Sequence, residues 1–455
     1  AFRCAFAVPP NMLLLLCLAH GLRSAGDRAW TFVLPIFLAQ ASPDSLAPTS
    51  TLSLAQSCGV VLLAPLLTNW LTKSAQRRGM LLVVFVFCEN VAVVCGGVAI
   101  FVASGAGKGH ASLLDSPLYW LGVFCMMIDS GVSSVLSVLV EKDYVRCLFS
   151  HKGAAALSHA NAMVTRTDLG TSVVAYAVLG AVMTDATGPI LAGMAVWHLI
   201  AAVGVFFCLA KLRRHSPDLD KQFRCGSVSA GENGSLHQPR LLPPLILSLL
   251  NGRRAFWALG VQAKLHSAAF VCLFFTVLSP SGLLSAWLRS RGVQPSAIAC
   301  FRAAAQLAGC LGTVVAPWAI GRSGAGRAGW ILQWFQFLAV QSATVLFFLA
   351  PRVWVTQWFR WEFFVMASLA ISRIGLWGFD LSERQLVQST VTAEDALPVF
   401  SFEKALAEVA GLVMLAVSLA VPSVDNFYIL VYMSSCAVGV ATGLLYFSER
   451  IYDAR

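Results

Sequence analysis

The stretch LLVVFVFCENVAVVCGGVAIFVA (residues 81–103) decides the fold class, because it is long and apolar enough to cross a bilayer as a helix. Comparable stretches recur along a chain that is 58% hydrophobic and 12% charged. Soluble proteins carry about 25% charged residues, so the composition excludes that class. The stretches do not alternate in polarity as the strands of outer-membrane barrels do. The sequence therefore predicts an all-α polytopic membrane protein.

Twelve transmembrane helices are predicted. They lie near residues 11–40, 47–70, 79–103, 117–140, 153–184, 187–210, 262–288, 296–320, 328–350, 358–390, 397–421 and 426–449. The net charge of +10 is concentrated in every second loop, after spans two, four, six and eight. Basic loops face the cytoplasm, so both termini are expected on the cytoplasmic side. This placement accounts for the charge without a nucleic-acid partner.

A polar segment rich in Gly, Ser and Pro, residues 212–254, separates the first six spans from the last six. Such a composition is typical of a flexible linker. Six spans on each side of a linker is the arrangement of the major-facilitator-type fold, in which two six-helix bundles rock around a site at the membrane midplane. We therefore expect an N-terminal bundle at residues 1–211 and a C-terminal bundle at residues 255–455.

Ionisable residues inside the spans are the candidates for function, since a charge at the bilayer centre costs at least about 2.5 to 3.5 kcal/mol. Asp27, Glu89 and His198 lie in spans one, three and six, within about one helical turn of the midplane. Carboxylates and an imidazole at one depth are typical of a site for a divalent transition metal. Asp129 in span four is a weaker candidate ligand.

Each of these residues also has a structural interpretation. Asp27 could pair with Arg23, four residues earlier on the same helix. His198 could be a core histidine bonded to a backbone carbonyl, and Asp129 could brace a neighbouring helix. The metal interpretation rests on the shared depth of three residues rather than on any one of them.

Other charges are interpreted as gating or structural groups. Asp143 ends span four, Arg166 and Asp168 lie in span five, and Arg28 lies beside Asp27 in span one. Pairs of this kind can hold a gate shut in one state and break in the other. The alternative for the charges near the inner helix ends is ordinary contact with the membrane interface.

Span ten contains RIGLWGFDL (residues 373–381), which places Arg373 and Asp380 inside an apolar helix. They are separated by about 10.5 Å along the helix axis, too far to pair unless the helix breaks near Gly375 or Gly378. We therefore expect each charge to pair with another helix, as part of a gate or strut rather than as a metal ligand.

The same stretch carries a family resemblance, since ISRIGLWGFDLSERQLVQ (371–388) resembles the tenth-span signature of the ferroportins, iron exporters of the major-facilitator superfamily. Further segments resemble the family in the same order along the chain. These are GDRAW (26–30), NWLTKSAQRR (69–78), ENVAVVCGG (89–97), EKDYV (141–145), NAMVTRTD (161–168) and TVLSPSG (276–282). Details of spans seven and eleven resemble the plant plastid branch more than the animal proteins.

The resemblance implies that Asp27 is a metal ligand in the N-terminal bundle. Glu89 and His198 stand where animal ferroportins have Gln and Asn, a change toward stronger transition-metal ligands. Met414 stands where the animal proteins have a His in span eleven, so it is a candidate thioether ligand, with core packing as the alternative.

Gly282 replaces a Cys that the peptide hormone hepcidin requires in animal ferroportins, so control of the hepcidin type is not expected.

The function predicted from these observations is export of ferrous iron by alternating access, with Fe²⁺ as transported substrate rather than cofactor. Coupling to protons is a hypothesis, and a monomer in membrane lipid is expected. One alternative is transport of Ni²⁺, Co²⁺ or a small organic cation on the same fold, and another is a membrane receptor that does not transport. An enzyme is not expected, because no nucleophile elbow, HExxH or phosphate loop is present. The membrane is expected to be the plasma membrane or an organellar one, the plastid envelope included.

Overall fold

The computed structural model describes residues 10–73, 78–106, 113–137, 139–140, 144–145, 148, 154–182, 187–215, 253–353, 361–391 and 396–453. The long elements of these residues are helices. In chain order they are α1 (Pro10–Ala41), α2 (Ala47–Lys73), α3 (Arg78–Ala106), α4 (Pro117–Ser137), α5 (Ala154–Val182), α6 (Thr187–His215), α7 (Val261–Phe274), α8 (Gly282–Ser290), α9 (Pro295–Ser323), α10 (Ala325–Val353), α11 (Trp361–Thr390), α12 (Ala396–Ala420) and α13 (Phe427–Asp453).

Helices occupy all of the predicted spans, and their ends agree with the predicted ends to within a few residues. Span seven differs, because it consists of two helices, α7 and α8, separated by residues 275–281. Within the described residues, seven helices are long and apolar enough to cross a membrane by length and composition. The polytopic, all-helical class is thus confirmed, and the number of twelve crossings stays a prediction.

The chain forms two compact units. The first contains Ala1–Trp30, Ala55–Ala175 and Thr184–Leu245, and the second contains Thr31–Leu54, Tyr176–Met183 and Ile246–Arg455. Two segments, Thr31–Leu54 and Tyr176–Met183, group with the later helices, and the division into residues 1–211 and 255–455 stays a prediction. Most of the predicted linker lies outside the described residues.

The core of the first unit is built from apolar residues of five helices, α1 among them. Leu16, Phe85, Val135, Val164 and Leu209, one from each of α1, α3, α4, α5 and α6, belong to one buried cluster. Helix α1 thus contributes one face to this core, while Leu14 and Leu18 on its other face are exposed.

In the second unit, α11 runs unbroken through the Arg373 signature and packs tightly between two neighbours. A Cβ atom at Gly375 would overlap the Leu332 carbonyl of α10, and one at Gly312 of α9 would overlap the Ile374 carbonyl of α11. The glycines therefore let the helix backbones approach one another rather than breaking α11. The separation of Arg373 from Asp380 along the axis is maintained.

The break in span seven is held by side chains from other helices. Arg373 Nη2 of α11 donates to the Leu278 carbonyl at 2.9 Å, and the Val277 amide donates to Ser434 Oγ of α13 at 2.8 Å. The Leu278 amide donates to Thr276 Oγ1 at 3.0 Å. Backbone groups that leave a helix inside a membrane need such partners, because lipid offers none.

Candidate metal site in the first unit

Helix α1 carries two polar stripes on adjacent faces. His20, Ser24 and Arg28 recur every four residues and form one stripe, and Arg23 and Asp27 form the other. Residues four apart lie on the same face of a helix. The first stripe faces α5, and the second faces α3 and α4, as the contacts below demonstrate.

Arg23 is the centre of the second stripe and is buried, with 8% of its surface exposed. Its Nη1 atom lies 2.8 Å from Glu89 Oε1 of α3 and 3.4 Å from Asp27 Oδ2. The same nitrogen donates to Ser133 Oγ of α4 at 2.9 Å, and Nη2 donates to Ser137 Oγ. One guanidinium therefore joins α1, α3 and α4 through charge-assisted hydrogen bonds, which are stronger than neutral ones.

Asp27 is less enclosed than its neighbours, with 24% of its side chain exposed. Ser133 Oγ donates to its Oδ2 atom at 3.0 Å, which fixes the carboxylate beside Arg23. The alternative that Asp27 pairs with Arg23 is thus confirmed, although this contact is the longer of the two that Arg23 makes with carboxylates. Its partial exposure leaves Asp27 open to a cation.

Glu89 and Asp129 add unpaired oxygen atoms to the same region. Glu89 is 1% exposed, and its Oε2 atom has no hydrogen-bond partner among the described residues. Asp129 Oδ1 in α4 is likewise buried without a partner in that part of the chain, and Asp129 interacts electrostatically with Asp27 and Glu89. Three carboxyl groups therefore lie near one guanidinium.

His198 of α6 is held in one orientation. The Asn90 amide nitrogen donates to the Val86 carbonyl at 2.7 Å, so its Oδ1 atom, 2.9 Å from His198 Nδ1, acts as the acceptor. The proton therefore lies on Nδ1, and Nε2 lies against the α1 backbone at Gly26, with which the imidazole also interacts. Nε2 is buried and has no hydrogen-bond partner within the described residues. A histidine fixed through one nitrogen with the other unprotonated is the form that binds metals.

Glycine at position 26 makes room for that imidazole. A Cβ atom there would lie 2.8 Å from His198 Cε1 and 2.9 Å from Nε2. The ring thus packs directly on the α1 backbone, one residue before Asp27, and Asp27 is close enough to act on it electrostatically. The Trp30 ring, 6.2 Å away between centroids, closes the other side.

The three predicted ligands are gathered in one region but not around one point. The described residues include no group of three or more His, Cys, Asp and Glu side chains placed to hold a metal ion together. Glu89 is engaged by Arg23, whereas Asp27 and His198 present accessible or free donor atoms. The arrangement could therefore accept a cation only after a small rearrangement in which Arg23 releases Asp27.

The first stripe of α1 forms a separate ionic cluster around Asp168 of α5. Arg28 Nη2 lies 2.8 Å from Asp168 Oδ2, Ser24 donates to Oδ1, and His20 Nε2 lies 3.9 Å from Oδ1. The predicted structural charges Arg28 and Asp168 thus meet. Arg166 is exposed on α5, and Asp143 lies outside the described residues.

In the second unit, Arg373 contacts another segment and Asp380 pairs on its own helix, and their expected role as gate or strut stays a prediction. Arg373 holds the Leu278 carbonyl of the broken span, as described above, so it braces another segment. Asp380 Oδ2 instead accepts a hydrogen bond from Arg384 at 2.9 Å, on the same helix. Four residues separate them, the spacing at which helical neighbours pair. Met414 is 1% exposed and belongs to the buried core of α12.

Several buried charges in the second unit were not predicted, and three of them are the most enclosed. Arg302 of α9 is 4% exposed, Glu383 of α11 is 2% exposed, and Glu403 of α12 is 3% exposed. Ser267 of α7 donates to Glu383 at 3.0 Å, and Glu403 interacts with both. Each of the three charges lies inside a predicted span, so the search for ionisable residues applied to the N-terminal spans would have found them.

The family model described as Ferroportin1 matches residues 10–438, almost the whole chain. The chain belongs to the ferroportin family. Among related ferroportin-family proteins, solute carrier family 40 member 1 of Oryza sativa subsp. japonica is 24% identical over 98% of this chain and 92% of its own length. Ferreportin of Bdellovibrio bacteriovorus is 25% identical, with 94% and 92% covered. A rice relative named as chloroplastic, solute carrier family 40 member 2, is 25% identical over 91% of this chain and 69% of its own length.

Solved structures place this ferroportin in the major-facilitator-type fold. A bacterial homologue of iron transporter ferroportin in an inward-facing state has a TM-score of 0.74 at 22% identity, covering 97% of this chain and 99% of that one. The xylose transporter XylE of E. coli has a TM-score of 0.61 at 12% identity, with 96% of each chain covered. This ferroportin is therefore a multi-pass membrane transporter of major-facilitator architecture and not an enzyme.

Proposed function

We propose that this ferroportin exports ferrous iron by alternating access, with Asp27 and His198 as the primary ligands of the cation. The observation that carries the proposal is the orientation of His198, whose Nδ1 atom is bound to Asn90 while its buried Nε2 atom lies against α1 at Gly26, one residue before Asp27. Such an imidazole beside a partly exposed carboxylate matches the mixed nitrogen and oxygen ligands that divalent transition metals prefer.

In this proposal Glu89 anchors Arg23, whereas its depth in the membrane suggested that it binds the metal. Its ion pair with Arg23, at 2.8 Å, keeps the guanidinium anchored when the weaker contact with Asp27 is lost. An arriving divalent cation repels Arg23 and attracts Asp27, so the cation replaces the guanidinium at that carboxylate. Asp129 and Glu89 supply further buried carboxyl oxygen atoms in the same region.

Proton coupling follows as a part of the same proposal. A metal can bind only deprotonated carboxylates and neutral imidazole, so binding displaces any proton that these groups hold. When the site opens to the other side, reprotonation of the same groups assists release. Export of the metal would then be accompanied by proton movement in the opposite direction.

The test is iron flux in proteoliposomes that contain purified protein. We expect Asp27→Asn and His198→Ala each to reduce flux at least about tenfold, and Asn90→Leu to weaken iron binding about 10- to 100-fold through loss of the outer support of the histidine. Asp380→Asn is the matched control, because that carboxylate pairs with Arg384 on its own helix in the second unit. Wild-type flux in Asp27→Asn would show that the cation binds elsewhere.

Nickel and cobalt ions are the second candidate cargo, on the same ligands. Sites with nitrogen and oxygen donors bind Co²⁺ and Ni²⁺ more tightly than Fe²⁺. Competition with each metal in the flux assay separates the cases. A metal that is transported inhibits iron flux and also crosses the membrane itself, whereas a metal that only blocks the site inhibits iron flux without crossing.

For location we propose the plastid envelope, supported by the relatives named as chloroplastic. We also propose a monomer with both termini on the basic side of the membrane. Fluorescent fusions of the full-length protein, viewed against envelope and plasma-membrane markers, test the location. Protease protection of a C-terminal tag tests the orientation.

A further inference from the structure

Arg302 is a buried cation on α9 for which nothing in the iron site accounts. It is 4% exposed and lies inside a predicted span, where a guanidinium is costly unless it has partners and a role. Its Nη1 atom donates to the Thr31 carbonyl of α1 at 2.9 Å, and its Nη2 atom donates to Tyr176 Oη of α5 at 3.0 Å. All of these residues belong to the second compact unit.

Aromatic rings enclose the same guanidinium. The Arg302 Cζ atom lies 4.5 Å from the centroid of the Tyr176 ring and 5.5 Å from that of Phe32, and the two rings are 5.7 Å apart. Both aromatic residues are buried, at 1% and 0% exposure. A desolvated guanidinium is attracted to the faces of such rings. The two aromatic rings therefore form a specific pocket for the guanidinium.

A proline explains why the Thr31 carbonyl is available. In an α-helix the carbonyl of residue 31 would accept a hydrogen bond from the amide of residue 35, but that position is Pro35, which has no amide hydrogen. Position 35 therefore cannot donate the usual helical hydrogen bond to this carbonyl. Arg302 of α9 donates a hydrogen bond to the Thr31 carbonyl instead. The roles of Pro35 and Arg302 are therefore linked, although the two residues are far apart in sequence.

Further contacts lie at the same ends of the helices. The Leu46 amide at the start of α2 donates to the Pro422 carbonyl after α12 at 2.7 Å, and Ser418 Oγ donates to Ser50 Oγ at 3.0 Å. In the predicted topology α1 and α5 end, and α2 begins, on the outer side. The contacts thus join outer parts of N-terminal spans to C-terminal helices, and such contacts must separate before a site can open outward.

We propose that Arg302 is the outer latch of this ferroportin and positions α1 next to the iron site. Thr31 lies four residues after Asp27, about 6 Å further along α1. While the bond to Thr31 is made, the outer part of α1 stays attached to α9 and the site can be loaded only from the cytoplasmic side. Release to the outside requires the bond to break and the Thr31 carbonyl to be taken over by water. The inference rests on the proposed alternating-access export.

Spin labels at Asp44 and Asp425, introduced as non-canonical amino acids, test the latch by electron paramagnetic resonance. Both positions are exposed in the outer loops, next to the bridge between Ser45 and Ser423. Loss of two hydrogen bonds from a charged donor should raise the ratio of long to short distances at least about tenfold in Arg302→Gln. Arg302→Lys, which keeps the charge, should give a smaller change.

Two variants keep the test decisive if Arg302→Gln does not fold. Tyr176→Phe removes one hydrogen bond and leaves the ring in place, so a shift of a few-fold is expected. Pro35→Ala restores an amide that competes for the Thr31 carbonyl, so it should favour the open distances without touching Arg302. Arg322→Gln, at an exposed arginine on the same helix, should have no effect.

Iron flux distinguishes failure of the latch from failure of the iron site. In the latch variants we expect the iron concentration at half-maximal flux on the cytoplasmic side to rise several-fold, because the inward-open state is depleted. Unchanged distances in both Tyr176→Phe and Pro35→Ala, with only a loss of thermal stability, would show that Arg302 is a structural brace. The distance measurement needs no metal, so a different cargo would leave the latch result intact.

Discussion

Replacement of Arg23 by methionine tests whether Arg23 holds the candidate metal site together. The variant keeps most of the side-chain volume but removes the ion pair with Glu89 and the bonds to Ser133 and Ser137. Glu89 is 1% exposed, so its carboxylate would be left buried without a counter-charge. Breaking a buried pair from one side costs about 3 to 5 kcal/mol, and we expect a loss of unfolding free energy of this size.

The measurement is equilibrium unfolding in mixed detergent micelles, followed by circular dichroism. The double variant Arg23→Met with Glu89→Gln should regain about 1 to 3 kcal/mol, since it no longer buries a lone charge. Arg384→Met is the control, because its pair with Asp380 lies at the surface, where such pairs contribute about 1 kcal/mol or less. A loss below about 1 kcal/mol for Arg23→Met, or no recovery in the double variant, would refute this account of the cluster.

Gly26→Ala should displace the His198 ring, since the new Cβ atom would lie 2.8 Å from Cε1, and we expect iron binding to weaken about tenfold in calorimetric titrations. Gly193→Ala on the same helix as His198 meets no atom within 4 Å and should bind like the wild type. Arg373→Met should leave the Leu278 carbonyl without its partner, at a cost of about 1 to 3 kcal/mol in the same unfolding measurement. An unchanged stability of that variant would mean that the broken span does not depend on Arg373.

The helices were predictable because each span is recognised from the hydropathy summed over about 20 residues. Misleading residues at single positions therefore have little effect on the prediction. The break within span seven was not predicted. Its backbone partners, Arg373 and Ser434, lie 95 and 157 residues away along the chain, and the segment itself is mostly apolar or small. A helix break whose backbone groups are bonded by residues of distant helices leaves little signal in the local sequence.

The candidate site was predictable to a similar degree. Depth along the helices identified Asp27, Glu89 and His198, and all three lie in the first compact unit. Spacing along α1 identified the pairing of Arg23 with Asp27, but the shorter contact, between Arg23 and Glu89, joins residues 66 positions apart. Which carboxylate a guanidinium prefers depends on how three helices pack, and periodicity within one helix carries no information on that.

The two polar stripes of α1 also restrict how this helix can move. Arg23 is tied to α3 and α4, while Ser24 and Arg28 are tied to Asp168 of α5 on an adjacent face. A turn of α1 about its own long axis would break both sets of bonds together. Within the first unit, α1 has therefore lost its freedom to spin, and any displacement of it carries α3, α4 and α5 along as one body.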